Sequence, residues 1–127
     1  MPAYDATRFA PPAPLGLVTL RNTATGASVS AVQALLDSGA DVTLVPREAV
    51  LRVGLSIDPA AVYELMGFDG ARSSVQAVHL DLGFLGKTFR GRFLVFDHEY
   101  TILGRDILNH ISLFLDGPNL NWEDRKR

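Results

Sequence analysis

The most informative segment of the chain, residues 34–45, reads Ala34-Leu35-Leu36-Asp37-Ser38-Gly39-Ala40-Asp41-Val42-Thr43-Leu44-Val45. An apolar run ends at Asp37, a polar turn follows, and apolar residues resume after Asp41. A carboxylate is costly to bury, so an acid at the end of an apolar strand needs a specific reason. The residues leave two interpretations open. Asp-Ser-Gly often makes a strand-ending turn in which the side chain bonds its own backbone, or Asp37 performs acid–base chemistry.

Outward from this stretch, short apolar runs alternate with turn residues. Strands are predicted at 17–20, 29–36 and 41–45, and period-two alternation predicts two more, beginning at 78 and 89. A short helix is predicted at 46–53, because proline suits a first helical turn and Gly54 a stop. Turn residues predict hairpins at 63–72 and 112–122. Many short strands with one or two short helices indicate an all-β, barrel-like domain.

The length of 127 residues predicts one compact domain, since a chain of this size can bury its own core. Four prolines between residues 2 and 14 predict an extended arm over 1–14, because proline blocks helix and lacks a backbone donor. The run Glu-Asp-Arg-Lys-Arg predicts a solvated tail at 123–127. The folded domain is therefore expected to span 15–122.

Charge and composition exclude several function classes. A net charge of −2 offers no positive field for nucleic acid or an anionic membrane. Without cysteine, the chain has no disulfide, thiolate metal site or cysteine nucleophile. Its three histidines, His79, His98 and His110, are scattered, so we expect no metal and no cofactor. The sequence has no apolar run long enough for a signal peptide or a membrane span, which predicts a cytoplasmic protein.

Three segments of the chain resemble corresponding segments of one known family and follow the same order along the sequence. Residues 34–45 resemble the active-site segment of the retroviral-type aspartic proteases, the retropepsins, in which an apolar strand leads into Asp-Thr/Ser-Gly-Ala. Ile102-Leu103-Gly104-Arg105-Asp106-Ile107-Leu108-Asn109 is similar to the family's second signature. Between them, Leu65-Met66-Gly67-Phe68-Asp69-Gly70 lies where the family has its flap. The resemblance spans about 17–122 and implies a closed acid-protease barrel, all-β, with one or two short helices.

The resemblance implies a role for each position that matches the family pattern. Asp37 is implied as the catalytic residue. The residues implied to support the active-site loop are Ser38, Gly39 and Ala40. Asp41 and Arg105 are implied to form a structural ion pair, buried and bidentate. The flap is implied at Met66, Gly67, Phe68, Asp69 and Gly70, and the substrate pocket at Tyr100 and Ile102, for which core packing is the alternative.

Asp-Ser-Gly occurs only once in this chain. The family chemistry needs two carboxyl groups that share one proton, one of them activating a water. Since 127 residues are too few for a second lobe, the resemblance implies a homodimer that pairs Asp37 with its symmetry mate and acts on polypeptides as an endopeptidase. The alternatives are a non-catalytic relative that binds peptides or dimerises, and a processing unit within a larger polyprotein.

The chain departs from the viral pattern in three places. Residues 112–122 extend past the short terminal strand of viral enzymes and are predicted to fold back as a hairpin, as in bacterial and retroelement relatives. The interleaved terminal strands that hold viral dimers together are therefore not implied here. Residues 47–54 insert a helix, and Phe68-Asp69 stands at the flap tip where viral enzymes are richer in glycine.

Overall fold

The computed structural model describes residues 2–57, 62–66, 70 and 72–125. The described residues form ten strands and two short helices, and no helix among them has the length and apolar character needed to cross a bilayer. In chain order the elements are β1 (Tyr4–Asp5), β2 (Ala13–Arg21), β3 (Ser28–Leu36), β4 (Leu44–Pro46), α1 (Arg47–Arg52), β5 (Val62–Met66), β6 (Arg72–Phe84), β7 (Lys87–Phe96), β8 (Thr101–Leu103), α2 (Arg105–Leu108), β9 (Leu113–Asp116) and β10 (Asn121–Asp124).

Eight of these strands form one sheet in the order β1-β2-β3-β8-β4-β7-β6-β5. A further pairing of β2 with β6 closes the central six strands into a ring. The two parallel pairings, β3 with β8 and β4 with β7, lie side by side within this ring. Strands β9 and β10 form a separate hairpin. The predicted all-β class with two short helices is confirmed.

The predicted strand at 41–45 begins later than expected, at Leu44. The N–H of Thr43 donates to a carboxylate oxygen of Asp106 at 3.1 Å, so this part of the backbone bonds a side chain before the strand begins. The predictions at 17–20 and 29–36 are confirmed within the longer β2 and β3. The predicted helix is confirmed as α1, and both hairpins are confirmed by the β5–β6 and β9–β10 pairings.

The core lies inside the ring of strands and is capped by the C-terminal hairpin. Trp122 on β10 is 1% exposed, and its indole N–H donates to the carbonyl of Leu15 at 2.8 Å. Its ring lies 6.1 Å from that of Phe84. A side chain at Gly16 would meet both rings, at 2.9 Å and 3.1 Å from the would-be Cβ. Glycine at this position therefore lets the two aromatic rings pack directly on β2.

The alternating face of β6 carries a buried acid. Asp81 is 4% exposed and lies directly opposite Arg90 on β7 and Arg21 on β2. Arg90 donates to both carboxylate oxygens, at 2.9 Å and 3.2 Å, while Arg21 lies 3.7 Å away. These hydrogen bonds from Arg90 hold the pKa of Asp81 below its ordinary value, although burial acts in the opposite direction.

The two ends of the described chain pair with each other. The N–H of Tyr4 donates to the carbonyl of Leu120 at 2.8 Å, and the N–H of Trp122 donates to the carbonyl of Pro2 at 3.0 Å. Within the segment predicted as an extended arm, β1 also pairs with the start of β2. At the other end, β10 continues to Asp124, within the segment predicted as a tail. The N-terminal segment thus contacts the C-terminal hairpin of its own chain.

Candidate active site

Asp37 begins the loop that joins β3 to β4. Its N–H donates to the carbonyl of Leu103 at 3.0 Å, and its own carbonyl accepts from Ala40 at 3.1 Å. The N–H of Gly39 donates to Asp37 Oδ1 at 3.0 Å. The side chain thus bonds its own loop, as the turn interpretation of Asp-Ser-Gly predicts. This bond also fixes the orientation of the carboxylate.

The sheet topology brings the two sequence signatures together. Because β3 pairs with β8 in parallel, Leu36 lies opposite Leu103, and the residues after each strand meet at one edge. The N–H of Arg105 donates to the carbonyl of Ala40 at 2.9 Å. A Cβ added at Gly104 would lie 2.5 Å from a backbone oxygen of the Asp37 loop, that of Val42. Glycine is therefore required for this close backbone contact.

A buried threonine links the same two segments, and no role for it was predicted from the sequence. The hydroxyl of Thr43 donates to Asp106 Oδ1 at 2.6 Å and accepts from the N–H of Gly104 at 3.0 Å. Thr43 is fully buried. Two features of the sequence could have indicated this contact: Thr43 is a polar residue within an apolar run, and Asp106 is an acid that directly follows Gly104-Arg105. Since these residues stand 63 positions apart, no local pattern joins them.

Arg105 contacts the loop through two different partners. Its Nη1 donates to the carbonyl of Ser38 at 2.7 Å, and its Nη2 donates to Asp41 Oδ1. The Asp41 side chain is 82% exposed and that of Arg105 is 43% exposed. Within the single chain the pair is therefore exposed and not bidentate, whereas its burial near a dimer contact stays a prediction. The pair lies at the surface, because Arg105 divides its donors between a backbone carbonyl and one carboxylate oxygen.

Asp37 faces a groove of about 850 Å³. Its lining includes Val42, Leu44, Leu94 and Ile102, together with Tyr63 from β5. The groove thus combines apolar walls with charged side chains: four acids, Asp37, Asp41, Glu64 and Asp106, and one arginine, Arg92. In the described part of the chain, no three histidine, aspartate or glutamate side chains are arranged to hold a metal ion.

The two residues predicted for the substrate pocket are separated in the structure. Ile102 lines the groove that Asp37 faces, whereas Tyr100 does not. Tyr100 contacts the N-terminal segment: its ring lies 5.5 Å from that of Phe9, edge to face, and the Arg8 guanidinium lies 5.9 Å from its centroid. Arg8 is held by Asp5, whose pKa the hydroxyl of Thr7 and nearby N–H groups keep well below its usual range.

The hairpin at the groove is described in part. Strands β5 and β6 pair antiparallel, with Met66 opposite Arg72, and the Arg92 guanidinium of β7 lies 4.7 Å from the ring centroid of Tyr63. Gly70 has a φ of +80°, a conformation suited to glycine. Of the predicted flap, residues 67–69 lie outside the described residues.

Comparison with known proteins agrees with this geometry. A family model described as retroviral aspartyl protease matches residues 13–116, which include the Asp37 loop, β8 and α2. Among solved structures, the EIAV protease complexed with the inhibitor HBY-793 has a TM-score of 0.57 and 26% identity, over 77% of this chain and 86% of that chain. The comparison with curated proteins finds no match. The shared fold and the two signatures joined at one edge of its sheet place this chain in the retroviral aspartyl protease family.

Proposed function

We propose that this chain is an aspartic endopeptidase whose site combines two Asp37 carboxylates, one from each subunit of a homodimer. The observation that carries the proposal is the position of Asp37, held by its own loop at the edge of a groove in a chain of this family. The family and the fold are those of an aspartic protease. The dimer and the residue roles are the inference.

The remaining acids at the loop support a second copy as the source of the partner carboxylate. Asp41 is engaged by Arg105, and both oxygens of Asp106 accept hydrogen bonds from Thr43. Each of these acids therefore holds the loop in shape. Asp-Ser-Gly occurs once, so a two-fold axis beside Asp37 is the simplest way to bring a matching carboxylate to it.

The chemistry follows from two carboxyl groups held within a few ångströms of each other. Both cannot ionise at once, so the pair holds one proton. The ionised Asp37 accepts a proton from a water that attacks the scissile carbonyl carbon. The protonated Asp37 donates a hydrogen bond to the developing oxyanion, and a proton then passes to the leaving amine as the C–N bond breaks.

The groove favours a polypeptide substrate with apolar side chains. Four aliphatic residues line it, and apolar walls bind apolar side chains by removing them from water. The lining residues that carry this part of the proposal are Val42, Leu44, Leu94 and Ile102. In this assignment Ser38, Gly39 and Ala40 shape the active-site loop, residues 66–70 close over the substrate, and 15–122 form the protease domain. Tyr100, whose ring meets that of Phe9 edge to face, lies outside the groove lining and is assigned a packing role instead.

The test is the variant Asp37→Asn, assayed by digestion of a peptide library with and without a statine-type inhibitor. The variant keeps the shape of the side chain and removes the ionisable group. Cleavage is expected to fall by at least about a thousandfold, as for loss of a group that acts in the transition state. Asp97→Asn is the matched control, because Asp97 is 81% exposed and paired only with Arg47 among the described residues.

A mixing experiment tests whether each site uses two chains. Excess Asp37→Asn chain added to the unaltered protein is expected to inhibit cleavage, because mixed dimers hold one carboxylate instead of two. Full cleavage by the Asp37→Asn variant alone would overturn the assignment. Cleavage that is lost in the variant but unaffected by mixing would overturn the shared site. A folded protein that cleaves nothing would favour the non-catalytic peptide-binding module.

A further inference from the structure

Two arginines on one face of β7 differ in what lies across from them on β6. Because side chains along a strand alternate between its two faces, Arg90 and Arg92 point to the same side of the sheet. Asp81 lies directly opposite Arg90 and accepts both of its hydrogen bonds, whereas His79 lies directly opposite Arg92. Among the residues that the structure describes, no carboxylate forms an ion pair with Arg92.

Arg92 differs in this respect from the other arginines whose side chains are described. Each of those, from Arg8 in the N-terminal segment to Arg125 after β10, forms an ion pair with an aspartate or a glutamate. Some of these pairs are as exposed as that of Arg52 with Glu48, so exposure to solvent does not account for the difference. Arg92 is set apart by its position, because it lines the groove that Asp37 faces.

Tyr63 on β5 positions the Arg92 side chain. The guanidinium lies over the tyrosine ring, 4.7 Å from its centroid, in a cation–π contact. This contact attracts the positive charge but supplies no carboxylate to the planar fork of N–H donors, whose geometry matches a carboxylate group. Since Tyr63 also lines the groove, the guanidinium is held there with its fork available to a ligand.

Arg92 lies level with the loop that begins at Asp37. β7 pairs with β4 in parallel, with Leu94 opposite Leu44. Arg92 is two residues before Leu94, as Val42 is two residues before Leu44, and both Arg92 and Val42 line the groove. A polypeptide whose cut bond lies at Asp37 therefore passes Arg92 within the same groove.

The acids that line the groove form their own interactions, apart from Arg92. Asp41 pairs with Arg105, and both oxygens of Asp106 accept hydrogen bonds from Thr43. Glu64 also takes part in an interaction of its own. The remaining acid, Asp37, is the proposed catalytic group. A carboxylate that pairs with Arg92 is therefore expected to come from a bound molecule.

We infer that Arg92 is a specificity-determining residue of the groove and binds a carboxylate of the polypeptide substrate, at a position away from the cut bond. An arginine can hold a carboxylate by two parallel, charge-assisted hydrogen bonds, which are stronger than bonds between neutral groups. The carboxylate belongs to an aspartate or glutamate side chain or to the end of the substrate chain. This inference rests on the proposed function, which places a polypeptide in this groove.

The test compares synthetic peptides that differ at one position. Each peptide has an acetylated N-terminus, an amidated C-terminus and apolar residues on both sides of the cut bond, with glutamate, glutamine or lysine at each outer position in turn. At one position, kcat/KM for glutamate is expected to exceed that for glutamine by about tenfold, as for one hydrogen bond to a charged group. A glutamine peptide with a free C-terminal carboxylate tests the chain end as the source of the same group.

Two variants at position 92 separate a role in specificity from a structural role. Arg92→Gln is expected to abolish the preference for glutamate and to change kcat/KM for the glutamine peptide little. Arg92→Glu is expected to prefer the lysine peptide at the same position, a reversal that a general loss of structure would not produce. Arg52→Gln is the matched control, because Arg52 is exposed on α1, pairs with Glu48 and lies outside the groove lining. It is expected to keep the preference for glutamate.

Binding of the same peptides to the Asp37→Asn variant, measured by calorimetry, gives a readout that does not need cleavage. A preference for glutamate in binding that the added change Arg92→Gln removes would support the carboxylate site, even where no peptide is cleaved and the proposed function fails. Equal cleavage of glutamate and glutamine peptides at every position, with no gain from a free C-terminus, would overturn the role of Arg92 and leave the aspartic protease proposal standing. The same holds for a preference for lysine in the unaltered protein, or for a preference for glutamate that Arg92→Gln retains. Peptides that are neither bound nor cleaved would overturn both proposals.

Discussion

Two aspartates of this chain bind arginine in opposite settings. Asp81 is buried between three strands and receives two hydrogen bonds from Arg90, whereas Asp41 is 82% exposed at the active-site loop and contacts Arg105. The first carboxylate joins strands of one chain that already surround it. The second lies on a surface that the chain leaves open. The sheet therefore satisfies its buried charge with residues of the same chain, whereas the active-site loop is rigid but exposed to solvent in the single chain.

The largest expected effect comes from Gly104→Ala, which tests whether the loop is rigid. The added Cβ would lie 2.5 Å from the Val42 carbonyl oxygen and 2.9 Å from that of Ala40, and backbone cannot rotate away as a side chain can. The free energy of unfolding is expected to fall by about 3 kcal/mol or more, with loss of any cleavage. Urea denaturation measures this change. Gly91→Ala is the control, because a Cβ there meets nothing within 4 Å.

Asp81→Asn tests the buried half of the comparison through its pH dependence. The pKa of Asp81 is held below its ordinary value of 3.8, so the stability it contributes is present above that pH and is lost as the pH falls through the lowered pKa. At pH 7 the variant is expected to melt several degrees lower than the unaltered protein. The gap should narrow below pH 3.8 as the unaltered carboxyl protonates. A gap that stays constant from pH 7 to pH 2 would contradict the ion-pair explanation.

Asp41→Asn has the smallest expected effect on the isolated chain. An exposed ion pair contributes about 0–1 kcal/mol, so thermal unfolding of the dilute protein should hardly change. If the second copy covers this surface, dimer dissociation is expected to increase more than unfolding does, since a charge removed from water needs its partner. Sedimentation and melting of the same variant separate the two effects. Equal, small changes in both would place Asp41 away from the interface.

The sequence predicted what is encoded locally. The alternation along β6 and β7, the glycines of the β5–β6 hairpin and the turn before β10 each occupy a few neighbouring residues. The Asp37 loop was predicted from Asp-Ser-Gly and from its resemblance to one family. In each case a single segment of the sequence was enough to predict both the type of element and its position in the chain.

Features that depend on pairing between segments far apart in the chain could not be predicted from the sequence. β8 has only three residues, too few for a period, and it becomes a strand because β3 and β4 lie on either side of it. The contact of Thr43 with Asp106 and the burial of Asp81 depend on strands that meet only in the folded sheet. The exposure of Asp41 and Arg105 in the single chain could not be predicted for the same reason, since exposure is a property of the whole surface.

The chain contains a single tryptophan, at position 122, buried in the C-terminal hairpin and bonded to Leu15. When the protein is excited at the long-wavelength end of its ultraviolet absorption, where tyrosine does not absorb, its fluorescence therefore comes from this one indole. Its emission reports whether the hairpin is seated on β2, and it does so without a label. Because Leu115 on β9 lies directly opposite Trp122, the same emission also reports changes in the environment of β9.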